Sequence, residues 1–387
     1  MKEDTKIVTA GRHPERFHGA VNPPIYRAST ILFETVADLD ARKPKRDSMF
    51  YGRHGTPTTF ALEEALCVLE GGTECALYPS GLAACNGALL AFLEAGNHLL
   101  VADCVYGPTR RFCDHVLKRY GVETTYFDPL IGAGIEALFR PTTRVVFLES
   151  PGSLTFEVQD VPAIAAVAQK RGATVILDNT WATPLFFKAL DRGVDVSVHA
   201  ATKYIVGHSD AMLGVATANA TAAQTLKKGA TEVGFCAGPD DIYLAQRGLR
   251  TLGVRLRHQE AAALDLAGWL ARRPEVARVL HPALEGDPGH ALWRRDFTGA
   301  SGLFGLVLEP ASATAVAAML DGLELYGMGA SWGGFESLIM PTHPERFRTA
   351  TQWRAEGPSL RINVGLEDIE DLKADLDAGF TRLRAAA

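Results

Sequence analysis

Between residues 98 and 201 the chain keeps switching between two patterns. Nearly unbroken apolar runs occur at HLLVAD (98–103), VETTYFD (122–128), TRVVFLES (143–150), ATVILDN (173–179) and DVSVHAA (195–201). Between them lie stretches such as VPAIAAVAQKRG (161–172), apolar every three or four positions. Unbroken runs are strands buried on both faces, and their alternation with helices predicts a mainly parallel sheet covered on each side. Upstream, TTFALEEALCVLEGG (58–72) predicts a helix with a threonine cap and a Gly-Gly stop. ECALYPSG (74–81) then predicts a short strand, a turn and the start of a small-residue helix. Past Asp240 the register changes. Residues 240–274 read as one long helix or two, and VARVLHP (276–282) and SGLFGLVLEP (301–310) as strands. Leu366, Ile369, Leu372, Leu376, Phe380 and Leu383 fall on one stripe of a terminal helix.

The first 57 residues lack such periodicity, and an irregular segment of that length is either disordered or laid across a partner. The expected organisation is an arm (1–57), an α/β domain (58–239) and a smaller α+β carboxy-terminal domain (240–387).

Composition narrows the class without choosing a function. At 387 residues, 47% hydrophobic and 22% charged, the chain is an ordinary globular protein with a large core. Net charge is 39 − 45 = −6, and the basic run ARKPKR (41–46) is expected to solvate a loop rather than bind nucleic acid. Six scattered cysteines with no CxxC read as reduced, mostly buried thiols, and no metal-type ligand spacing is present. No run of about 18 apolar residues exists to span a bilayer, so the expected location is cytoplasmic.

Candidate chemistry sits where predicted strands end, because ligands of open α/β sheets lie beyond the carboxyl ends of the strands. Those ends offer Glu149 and Ser150, Asp178, and Lys203 in HAATKYIVGHSD. A lysine there is either a solvated loop charge or a desolvated amine placed to bond a carbonyl. An acid behind three apolar residues needs a cation or a hydrogen bond to stay charged. Pyridoxal phosphate would account for all of them: its aldehyde needs a lysine, its ring nitrogen a carboxylate, its phosphate amides and hydroxyls. Asp178 and Lys203 are 203 − 178 = 25 residues apart, a strand–helix–strand interval. Gly81 and Leu82 would offer helix-start amides to the phosphate, and Thr202 a hydroxyl. Tyr106 is either a loop anchor or a ring that stacks on the cofactor. Arg361, in SLRINVGLED, either forms a structural salt bridge or receives a substrate carboxylate. His199 and His208 are read as structural. A dehydrogenase would need a GxGxxG turn after its first strand, which is absent.

YGRHGTPT, YPSGLAAC, VILDNTWATP, HAATKYIVGHSDAMLG, RGLRTLGVRL, ASWGGFESL and SLRINVGLED together resemble the Cys/Met-metabolism family of fold-type I pyridoxal-phosphate enzymes, in order along nearly the whole chain. Within it they are most similar to the branch holding bacterial cystathionine β-lyases. The resemblance implies an aspartate aminotransferase-like α/β fold and a carbon–sulfur lyase of methionine biosynthesis. It implies that Lys203 attaches the cofactor and moves protons, with help from Tyr106. Asp178 would pair with the ring nitrogen, Tyr106 stack on the ring, and Gly81, Leu82 and Thr202 hold the phosphate, joined by Tyr51 and Arg53 from an adjacent subunit. Arg361 would hold the substrate carboxylate, with Ser331 and Trp332 shaping its pocket. The family implies a homotetramer built from two dimers and a sulfur amino acid as substrate. Three positions depart from the wider pattern. Ala200 replaces a serine that helps bind phosphate, Ser153 replaces an asparagine near the cofactor ring, and Thr56 stands where the family has NPT. The rival reactions are γ-elimination or γ-replacement by the same family, or a non-catalytic module on the same fold.

Overall fold

A computed structural model describes residues 1–41 and 48–386, so residues 42–46 of the basic run lie outside it. The strands are β1 (Glu74–Tyr78), β2 (His98–Ala102), β3 (Glu123–Phe127), β4 (Thr143–Glu149), β5 (Thr174–Asp178), β6 (Val196–His199), β7 (Gly214–Ala218), β8 (Val276–Leu280), β9 (Leu303–Leu308), β10 (Leu338–Thr342) and β11 (Ser359–Asn363). The first seven form one sheet in the order β1-β7-β6-β5-β4-β2-β3. From β3 to β6 every pairing is parallel, and β7 runs antiparallel to both β6 and β1. The five unbroken apolar runs are thus the five parallel strands. β7 was not foreseen, because its sequence GVATA has neither bulk nor branching enough to stand out from the turn before it.

The smaller sheet, β10-β11-β9-β8, is wholly antiparallel. It packs with the terminal helix Ile369–Ala385 around a second apolar cluster that includes Phe304, Leu306, Ile362, Leu376 and Phe380. The Asp368 side chain caps that helix by accepting from the Glu370 amide at 2.8 Å. Leu366 therefore lies before the cap, exposed, and does not belong to the apolar stripe. The 240–274 stretch resolves into two helices, Pro239–Leu249 and Leu252–Leu270. Gly248 in the first lies so close to the Val206 carbonyl that a Cβ would fall 2.1 Å from its oxygen.

The helix Pro57–Glu70 begins at Thr56, which exchanges capping hydrogen bonds with Thr59 and so gives the departure from NPT a local role. It ends at Gly71, whose φ of 72° needs a residue without Cβ strain. Inside it, Thr58 Oγ1 accepts from the Tyr26 amide at 2.9 Å and donates to the Pro24 carbonyl at 2.8 Å, tethering the arm. The arm also opens with a helix, Glu3–Thr9, that periodicity did not reveal. It docks on the chain's own body: Ile7 is buried, Lys188 pairs with Glu3 at 2.6 Å, and Arg250 donates to the carbonyls of Ile7 and Ala10.

Behind β6 lies a buried polar cluster. His199 Nε2 donates to Glu70 Oε1, which also accepts from Ser197 Oγ at 2.9 Å. Glu70 and His199 are almost inaccessible, so removing one leaves the other dry and unpaired. Glu70→Ala is expected to cost about 3 kcal/mol of unfolding free energy, Glu70→Gln much less, as read from denaturant midpoints.

One buried carboxylate bridges the two lobes through several donors at once. Asp103, just past β2, accepts from Arg110 Nη1 at 2.8 Å and from the amides of Thr349, Ala350 and Thr351 at 2.8–3.2 Å. Burial alone would push the Asp103 carboxyl up, but these donors outweigh it and hold it below the ordinary range.

Candidate active site

A cavity of about 610 Å³ opens at the carboxyl ends of the parallel strands, between the two lobes. It is lined by Lys203, Asp178, Tyr106, Gly81, Leu82, Thr202, Ser153, Ser331, Trp332 and Arg361, so ten of the twelve expected site residues meet in one place. The other two, Tyr51 and Arg53, lie outside the cavity of their own chain; Arg53 donates to the Thr231 carbonyl at 3.1 Å.

Lys203 does not end a strand. β6 stops at His199, and the amine follows four residues later in a turn closed by Lys203 N to Ala200 O and Gly207 N to Lys203 O, at 3.0 and 2.7 Å. The turn, rather than the strand, aims the side chain. Nζ donates to Ser331 Oγ at 2.5 Å and sits 5.3 Å from the centre of the Trp332 ring. Burial and the neighbouring Arg361 guanidinium lower the amine to about 8, against a smaller opposing pull from Asp178. An amine reacts with an aldehyde only when unprotonated. Uptake of pyridoxal phosphate by the cofactor-free protein is therefore expected to speed up as pH rises through about 8 and then level, whereas an ordinary lysine would keep gaining to about pH 10.4. Stopped-flow absorbance against pH checks this.

Asp178 ends β5, in register with Glu149 at the end of β4. Its Oδ1 accepts from the Thr180 amide and hydroxyl at 3.0 and 2.5 Å, and Cys85 Sγ lies 3.6 Å from Oδ2. Thr180 Oγ1 in turn accepts from the Ala200 amide at 2.9 Å, so one hydroxyl ties the carboxylate to the segment carrying the lysine. Glu149 Oε2 accepts from the Tyr106 amide at 2.7 Å, which fixes the backbone from which that ring projects. Burial and the nearby Asp178 push the Glu149 carboxyl well up, and the Tyr106 amide only partly offsets them. Glu149 had been noted as a strand-end acid without a role. Thr180 was passed over, although its place two residues after Asp178 is the signal of an Asx-type turn. Phe347 and Arg348, from the opposite lobe, gave no sequence signal.

The helix Gly81–Phe92 starts at the cavity wall, where Ser80 Oγ accepts from the Ala83 amide at 3.1 Å. Its first amides, on Gly81 and Leu82, have no carbonyl one turn back to bond. A Cβ on Gly81 would fall 2.4 Å from the Ala200 methyl. This answers part of the question raised by Ala200: its side chain packs against the turn instead of offering a hydroxyl. Thr202 Oγ1 accepts from the Leu213 amide at 2.9 Å, which fixes the remaining hydroxyl at the wall. Arg361, on β11, donates to the carbonyls of Gly329 and Ser331 at 3.3 and 3.1 Å and has no acidic partner among the described residues. Burial holds its guanidinium down to about 10.

A sequence model of the Cys/Met metabolism PLP-dependent enzymes matches residues 4–381. The chain belongs to that family. As a Cys/Met-metabolism enzyme it uses pyridoxal 5′-phosphate, and the cavity fits the group: one depressed amine, one carboxylate in line with it, helix-start amides beside a glycine with no room for a side chain. It is 51% identical to a putative cystathionine β-lyase of Rhizobium johnstonii over 386 residues, 99% of this chain and 96% of that one. It is 48% identical to the cystathionine β-lyase of Escherichia coli over 390 residues, 99% of each chain. Its fold is similar to that of a cystathionine γ-lyase from Lactobacillus plantarum complexed with L-serine, with a TM-score of 0.90, 29% identity and 99% and 100% of the two chains covered. The aspartate aminotransferase-like class expected from the motifs is the one found. Among the described residues no helix is long and apolar enough to cross a membrane.

Proposed function

We propose that this enzyme breaks the Cβ–S bond of L-cystathionine, releasing homocysteine, pyruvate and ammonia. The observation that carries the reading is a buried lysine amine lowered to about 8, bonded to Ser331 and in the field of Arg361, in a chain about half identical to named cystathionine β-lyases. When bound, pyridoxal phosphate supplies an aldehyde for a primary amine and a ring that accepts the electron pair left on the substrate Cα. Asp178 keeps the proton on the ring nitrogen, and Thr180 keeps Asp178 in line. Gly81, Leu82 and Thr202 hold the phosphate, while Ser153 and the face of Tyr106 bound the ring. Arg361 takes the substrate α-carboxylate in a two-pronged hydrogen bond, with Ser331 and Trp332 walling that end.

Lys203, once freed, removes the Cα proton; its lowered pKa leaves it able to do so near neutral pH. The Cβ–S bond then breaks, and Lys203 or Tyr106 returns a proton to the sulfur. The three-carbon enamine that leaves is hydrolysed to pyruvate and ammonia.

The arm supports a second copy as part of the site. Val21, Leu32 and Val36 stand exposed on it, and Tyr51 and Arg53 lie outside the cavity that holds Lys203 in their own chain. We infer that the arm crosses to a neighbour and that the assembly is a homotetramer. Free thiols at all six cysteines, five of them buried, fit a reducing cytoplasm. The test is to load the purified protein with pyridoxal phosphate, add L-cystathionine and identify the keto acid. Pyruvate with homocysteine supports the proposal. 2-Oxobutyrate with cysteine would assign γ-elimination instead, and no keto acid would reject both.

A further inference from the structure

The cavity holds more positive charge than one α-carboxylate requires. Three arginines line it, Arg111, Arg348 and Arg361. Arg348 is spent: it is buried, pairs with Glu157 at 2.6 Å and donates to Thr155 Oγ1 at 2.5 Å. Arg361 is assigned above. Arg111 is different from both. It ends the short helix Gly107–Arg111 at the cavity wall, is exposed, and makes no hydrogen bond or ion pair among the described residues. Its neighbour Arg110 shows what a committed arginine looks like at this helix: it is buried, pairs with Asp103, and stacks 3.5 Å over the Tyr126 ring.

No lining acid is left to neutralise Arg111. Asp103 is saturated by Arg110 and the 349–351 amides, Asp178 is held by Thr180 and assigned to the cofactor ring, and Glu149 is turned to the Tyr106 amide. Both Arg111 and Arg361 act electrostatically on the Tyr106 phenol, each drawing its pKa down against burial and Glu149. The phenol therefore lies within the field of two cations, one deep and one at the rim.

We propose that Arg111 is a specificity residue that receives a second carboxylate, carried beyond the sulfur on the leaving-group side of the substrate. The reading rests on the proposed β-elimination and narrows its substrate class to amino-acid thioethers with an acid at both ends. Arg361 anchors the end that reacts, Arg111 the end that departs, and the scissile bond lies between them near Tyr106. A thioether without the distal acid leaves Arg111 solvated and idle.

The test compares the loaded wild-type enzyme with Arg111→Ala and Arg111→Lys on L-cystathionine and on S-ethyl-L-cysteine, reading pyruvate. The expected result is a KM for cystathionine raised about 10- to 100-fold in Arg111→Ala with kcat little changed, as for loss of a charge-assisted hydrogen bond at a rim. S-ethyl-L-cysteine should change by less than about twofold, and Arg111→Lys should recover part of the cystathionine loss. Equal losses on both substrates, or no loss on either, would overturn the assignment. Wild-type enzyme that cleaves S-ethyl-L-cysteine but not cystathionine would instead reject the cystathionine reading, and Arg111 with it.

Discussion

Lys203→Ala is expected to lower kcat by at least ~10³-fold and to abolish the yellow colour that a covalently held cofactor gives the protein. The size follows from two roles resting on one atom: Nζ is both the point of attachment and the base. No other lysine lines the cavity among the described residues, so nothing stands in for it. The fold should survive, because among the described residues the side chain hydrogen-bonds only Ser331, and the turn around it is closed by backbone atoms. Near-unchanged circular dichroism with lost colour and activity is the expected pair of readings. A variant that keeps its colour would show that the cofactor is held elsewhere, and the site assignment would fall. Lys203→Arg should be as inactive, since a guanidinium stays charged and cannot act as the base.

Arg361→Ala should reduce kcat/KM by about 100-fold, mostly through KM, as expected for loss of a bidentate pair with the substrate carboxylate. A second effect separates this residue from a merely structural one. The Arg361 charge disfavours protonation of Lys203, so its removal should move the pH profile of cofactor uptake upward from about 8. A structural arginine would change stability and leave that midpoint in place. Arg361→Lys keeps the charge and so should restore the midpoint better than it restores KM.

The parallel strands could be read from the chain because burial on both faces leaves unbroken apolar runs, and their ends marked Asp178 and Glu149. What failed did so for local physical reasons. β10 contains Pro341 and sits at the edge of its sheet, where a missing amide is tolerated but the sequence loses its strand character. Lys203 was placed at a strand end because Ala200 and Ala201 continue the apolar run, while the backbone has already turned. Leu366 matches the helical period yet precedes the Asp368 cap, and period alone does not locate a cap. Ten of the expected site residues meet in the cavity, while Tyr51 and Arg53 lie outside it; Phe347 and Arg348, which depend on folding across the lobes, were not foreseen. Arg111 lay in plain view five residues past Tyr106, but its freedom from partners is visible only once its neighbours are placed.

The Asp103 clamp also fixes an order of events. During synthesis its carboxylate emerges some 246 residues before Thr349, so for most of translation the acid that later bridges the lobes has no amides to meet. The parallel sheet, with Asp178 and the Lys203 turn, is complete by residue 218, long before the mouth of the cavity exists. A nascent chain halted short of Thr349 would carry Lys203 and Asp178 but neither Arg361 nor the closed rim, and only the last tenth of the polypeptide supplies both the substrate anchor and the enclosure.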